Sequence, residues 1–88
     1  MPVQGPPNLL RRYWFPLSKG FGIGVTALSE SEARELAETT RAQYFPHAVI
    51  TGIVPDVDVR SLDQGHVVPN MGPVVVRGVW YPQLNLRG

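Results

Sequence analysis

The chain has 88 residues, no cysteine, a formal net charge of +1 and a hydrophobic fraction of 43%. At that length folding buries roughly 60–65% of the surface the unfolded chain exposes, so the core is thin, and no disulfide framework or Cys-based zinc or redox site supplements it. Packing or self-association has to supply the stability; the basic total is far below that of a typical nucleic-acid binder, and no segment is long enough to span a bilayer.

The segment Met1-Pro2-Val3-Gln4-Gly5-Pro6-Pro7 lacks the basic start and apolar run of a secretion signal. It reads as part of a flexible arm over 1–9, ahead of a single domain over 10–88. A soluble, cytoplasmic protein is expected. Arg11-Arg12-Tyr13-Trp14-Phe15-Pro16-Leu17 is rich in aromatics and reads as a strand, with Pro16 at an edge or bulge. After a turn at Ser18-Lys19-Gly20, the residues Phe21, Ile23, Val25 and Ala27 alternate with Gly22, Gly24 and Thr26. This predicts the second strand of a hairpin, apolar on one face and nearly bare on the other.

Gly20-Phe21-Gly22-Ile23-Gly24 has the look of a phosphate-binding loop, but Val25 to Leu28 intervene before any helix begins, whereas an anion site needs the helix N-terminus at once. Glycines that admit a bulky neighbour across the hairpin, Trp14 for example, explain the run better. Ser29 and Glu32 have the spacing of a capping box, and Ala33, Leu36, Ala37, Thr40 and Tyr44 draw one narrow stripe along the following helix. Glu30–Arg34 and Arg34–Glu38 are i,i+4 pairs on its outer side, and Pro46 ends it. So many small residues predict a helix lying close on a sheet.

Ala48 to Val54 reads as a third strand ended by Pro55, and Asp56-Val57-Asp58-Val59 as a charge-protected edge. Ser61 and Gln64 have the spacing of a second capping box, with Gly65 suited to a left-handed exit. Asp56, Asp58, Asp63 and His66 offer oxygen and nitrogen ligands, but lack the acid count and glycine placement of a calcium loop or the spacing of a zinc site, so no metal is expected. Ser61, Asp63 and His66 name the residue types of a hydrolytic triad, yet neighbours on one turn do not adopt its geometry. A capping Ser61 and an Asp63–His66 hydrogen bond are the expected roles. His47 has no evident partner.

After the turn around Asn70 and Gly72, the run from about Val74 to Tyr81 reads as a final strand greasy on both sides. Val74, Val76 and Trp80 point one way, and Val75, Val79 and Tyr81 the other. His66-Val67-Val68-Pro69-Asn70-Met71-Gly72 and Arg77-Gly78-Val79-Trp80-Tyr81-Pro82 resemble segments of small bacterial proteins of unassigned function. The resemblance covers about the last quarter of the chain. It implies a compact bacterial cytoplasmic domain and no activity, and carries no catalytic residue over.

The order β-β-α-β-β predicts an α+β fold: a mixed sheet of about four strands with one helix on one face, β-grasp-like in strand order. One helix covers only one face, so the other requires the N-terminal arm, the loop from Pro55 to His66 or another molecule. The expected function is a small protein-interaction domain acting through an apolar sheet face or edge, as a homodimer or with a protein partner. His66, Asn70, Arg77, Val79, Trp80 and Tyr81 are the candidate contact residues. The alternative is a small-molecule-binding or catalytic domain with His66, Asn70 and Arg77 at a pocket mouth. A third reading uses Arg11, Arg12, Tyr13 and Trp14 to stack bases and neutralise phosphates, with Arg11, Arg12 and Arg77 forming a modest positive face. No cofactor is expected, and no catalytic residue is assigned.

Overall fold

A computed structural model describes residues 10–82; the anticipated arm over 1–9 lies outside the described residues. The elements are β1 (Arg11–Pro16), β2 (Gly22–Ala27), α1 (Glu30–Tyr44), β3 (Val54–Pro55) and β4 (Gly78–Tyr81), with short 3₁₀ turns at Val59–Ser61 and Val68–Asn70. The predicted α+β architecture is present. The sheet order is β3-β1-β2-β4, and every neighbouring pair is antiparallel, so the expectation of a mixed sheet narrows to an antiparallel one.

The hairpin forms the centre of the sheet, with Trp14 directly opposite Gly24. Its alternation places Tyr13, Phe15, Ile23, Val25 and Ala27 on one face, where they are buried with Ala33 and Ala37 of α1. Methyl-sized side chains on the helix stripe let its axis approach the sheet closely, as their spacing predicts. Ser29 caps α1, its hydroxyl accepting from the Glu32 N–H at 3.1 Å. The reciprocal half of the box differs: the Glu32 carboxylate accepts from the N–H of Leu28, one residue before the cap, at 2.9 Å. Glu30–Arg34 forms as expected, whereas Glu38 pairs with Arg41 because the two are one turn apart near the helix end. The chain leaves the helix at Phe45, before Pro46.

The third strand is shorter than its sequence predicts. Only Val54–Pro55 ladders onto β1; upstream, the chain follows the sheet through a single bridge, Leu17↔Ile50, and bonds from Ser18 to Val49 and from Thr51 to Pro16. Asp56 then takes a positive φ of 54°, which breaks the predicted alternation and turns the chain under the sheet. Arg12 fixes that turn, its Nε donating to Val57 O at 3.0 Å while Arg12 O accepts from Val57 N–H.

The segment 56–77 covers the second face. Val57, Leu62 and Val67 are buried there with Trp80, flanked by Trp14, Met71, Val74 and Tyr81. Of the covers anticipated for this face, the chain's own loop supplies it. Trp80 stacks on Trp14 with ring centroids 6.0 Å apart, and Tyr81 packs on Trp14 at 5.7 Å. Both glycines of β2 are needed: a Cβ at Gly22 would lie 2.7 Å from the Trp14 ring, and one at Gly24 2.4 Å from the Trp80 ring. Against expectation, Trp80 and Tyr81 both serve this face. The register passes from Gly24↔Tyr81 to Val25↔Val79, leaving Trp80 as an extra residue, and such a bulge cancels the strand alternation. Val79 packs on the helix side.

Candidate functional site

Val74 to Arg77 lie outside β4, as a turn and bend. Pro73 precedes them, and Gly78 follows with φ 134°, a conformation L side chains rarely adopt, so the predicted eight-residue strand shortens to its second half. Val74 O accepts from the Thr26 hydroxyl at 2.6 Å, and the Val74 side chain packs towards Trp80. Val75 and Val76 then project, 70% and 58% exposed. Arg77 closes the turn by pairing with Glu32. Glu32 thereby uses one carboxylate oxygen on Arg77 and the other on the Leu28 N–H, and these two bonds, Arg77 first, hold its pKa below the usual carboxylate range. Leu28 is itself 49% exposed. One carboxylate therefore anchors the exposed Leu28 and the turn that carries the exposed Val75 and Val76 at the N-terminal end of α1.

His66 lies elsewhere on the surface. Asp63 Oδ1 accepts from the N–H groups of Gly65 at 2.8 Å and His66 at 2.7 Å and faces His66 Nδ1 at 3.2 Å. The backbone N–H of His66, then that of Gly65, hold the Asp63 carboxyl below its ordinary range. Asn70 Nδ2 donates to His66 O at 2.7 Å, and the imidazole stacks on Phe21 with centroids 5.4 Å apart. His66 and Asn70 are thus brought together as a rigid turn, but Arg77 is held at Glu32.

The second capping box does not form. Ser61 donates its hydroxyl proton to Asp58 O at 2.7 Å, and Asp58 is the side chain that caps the 3₁₀ turn. Gln64 donates to Leu62 O at 2.8 Å, and Gly65 keeps a negative φ because the Asp63 carboxylate supplies the turn bond. Asp56 pairs with Arg11 and Asp58 with Arg60. No group of three or more His, Cys, Asp or Glu among the described residues is arranged to hold a metal ion.

The positive face is likewise dispersed: Arg11 and Arg77 are in ion pairs and Arg12 is bonded to Val57 O. Tyr13 is buried on the helix side while Trp14 stacks on the opposite face, so the four residues of the base-stacking reading do not share a surface. Among the candidate contact residues, Trp80 is 1% exposed, and Val79 and Tyr81 are half-buried. The exposed valines that replace them were concealed by a run that reads as strand; the bracketing Pro73 and Gly78 are the signal for the turn. Among the described residues, no helix is long and apolar enough to cross a membrane. Comparison with known proteins gives no family model, curated protein or solved structure that matches this chain.

Proposed function

We propose that the protein is a small interaction domain whose contact surface is the Val75–Val76 turn together with Leu28, and that its first partner is a second copy of the chain. The observation that carries this reading is two adjacent valines, 70% and 58% exposed, on a turn fixed on both sides by Thr26 and Glu32. Burying apolar surface gains about 25 cal/mol per Å², and a turn already fixed loses little further freedom on binding. Association through the sheet face itself is set aside because segment 56–77 occupies that face. His66 and Asn70, joined in one turn, supply a neighbouring polar surface in this proposal. A cytoplasmic setting, consistent with the cysteine-free composition, belongs to the same proposal.

Sedimentation velocity across the micromolar range is expected to show a concentration-dependent dimer. Val75→Asp should yield a soluble monomer while changing folding stability by no more than about 0.5 kcal/mol, as befits an exposed position. A wild type that is monomeric throughout that range, or a Val75→Asp variant that still dimerises, would overturn the reading.

A further inference from the structure

The basic side chains separate into two groups by partner. Among the described residues, Arg11, Arg34, Arg41, Arg60 and Arg77 each meet a carboxylate, and Arg12 meets a backbone carbonyl. Lys19, the chain's single lysine, and His47 have neither an ion pair nor a side-chain hydrogen bond among the described residues. Both line one open hollow of about 310 Å³, whose other walls are Gly20, Tyr44, Phe45, Pro46 and Ala48.

Backbone bonds fix these walls. Phe45 N–H returns to Arg41 O at 2.7 Å, and Ala48 N–H to Phe45 O at 3.0 Å. Arg41 Nη1 donates to Ala48 O, and Val49 exchanges bonds with Ser18, bringing the hairpin turn that carries Lys19 and Gly20 against the helix end. The hollow is largely apolar, and its volume stands at the lower end of the roughly 300–1,000 Å³ of small-molecule sites, which excludes a dinucleotide-sized ligand. Its one unpaired cation, Lys19, with the His47 ring N–H as a further donor, selects an anion. The hollow lies at the C-terminal end of α1, where the helix dipole places about half a negative charge. That end of the helix opposes any anion, and a phosphate dianion, which favours helix N-termini and clustered N–H donors, about twice as strongly as a monoanion; the single charge of a monoanion is one that Lys19 balances.

We infer that this hollow binds a small apolar monocarboxylate, its hydrocarbon body against Tyr44, Phe45 and Pro46 and its carboxylate at Lys19 and His47. This goes beyond the association surface, which lies near Glu32, about 20 Å away along the helix at 1.5 Å per residue.

The test is titration of the ¹⁵N-labelled full chain with 3-phenylpropionate, followed by NMR. Saturable shifts are expected at Lys19, Gly20 and 44–48. Both 3-phenylpropanamide against wild type and 3-phenylpropionate against Lys19→Met should bind about fivefold more weakly, the loss of one exposed charge pair. Inorganic phosphate should produce no saturable shift at these positions. The Val75→Asp variant should bind the acid as wild type does, which separates this inference from the dimer. Absence of saturable shifts at millimolar 3-phenylpropionate would overturn it, as would equal binding of acid and amide, unchanged affinity in Lys19→Met, or saturable phosphate binding at the hollow.

Discussion

On one face of the sheet, Ile23, Val25 and Ala27 meet Ala33 and Ala37 of a capped fifteen-residue helix; on the other, Trp80 is enclosed by Val57, Leu62 and Val67 from a segment whose only helical structure is two single 3₁₀ turns. The helix satisfies its backbone internally and needs only a stripe of small residues to dock. The irregular segment has no such ladder. It satisfies polar groups one at a time, through Asp58 and Asp63 accepting backbone N–H bonds and Gln64 donating to carbonyls, and it is organised around one large ring seated on a glycine. Among the described residues the buried Trp80 indole N–H meets no acceptor, and a donor left so costs about 1–3 kcal/mol. A regular layer distributes its stability over many small contacts; an irregular one concentrates it in a few residues.

That contrast is open to direct test. The largest expected effect is that of Trp80→Ala, about 3–5 kcal/mol for deleting a fully buried aromatic. Hydrogen exchange in this variant should lose protection over 56–77 before α1, since regions of a domain can open separately. Equal loss on both faces would show that they open as one unit. Trp80→Phe should cost much less, because it keeps a ring and removes the unsatisfied donor.

Gly24→Ala comes next. Its added methyl would lie 2.4 Å from the Trp80 ring, and overpacking of this type costs about 1–3 kcal/mol. Urea titration of Gly24→Ala, Trp80→Leu and the double variant should show the two changes to be strongly non-additive, because both act on one contact. Simple additivity would mean that the ring is not held by the glycine.

Ser29→Ala should cost about 0.5–2 kcal/mol by removing the helix cap. Here the loss of exchange protection should fall on the first turn of α1 and spare 56–77. An unchanged urea midpoint would show that the cap contributes nothing.

The smallest effect is that of acid. Asp56, held down first by its hydrogen bond to Arg11, Asp58 by Arg60 and Asp63 by backbone N–H groups have pKa values lowered in the fold, as do Glu38, held down by Arg41, and Glu32. A lowered folded pKa means stability that is fully present above the unfolded value and lost as pH falls through the folded one. The urea midpoint should therefore hold from neutral pH to about 5 and decline below about 4. Asp63→Asn should flatten part of that decline, and a parallel curve for this variant would remove Asp63 from the account.

Much of the helix face was legible because its determinants are local. Ser29, Glu32 and the stripe from Ala33 to Thr40 lie within a few turns of one another, and the hairpin follows from alternation around Ser18-Lys19-Gly20. The glycines of β2 were readable as seats for aromatics, although Trp80 as the occupant over Gly24 was not. The candidate site was less legible. Val75 and Val76 have the composition of a strand, and their exposure depends on Thr26, Glu32 and a glycine at positive φ. Lys19 and His47 share a hollow through contacts distant in sequence, among them the bonds between Val49 and Ser18.

By itself, the sequence determined the α+β class, the element order β-β-α-β-β, the helix start and stop, and the need for cover on a second face of the sheet. Tertiary structure decided what supplies that cover, where β4 begins, and which partners Arg11, Arg12 and Arg77 take. The physical reason is range: each of those three arginine contacts joins residues 45 apart in sequence. Propensity and periodicity act over a turn or a strand, whereas the bulge at Trp80 and the path of 56–77 are settled only when the aromatic rings, the glycines of β2 and the buried valines compete for the same space.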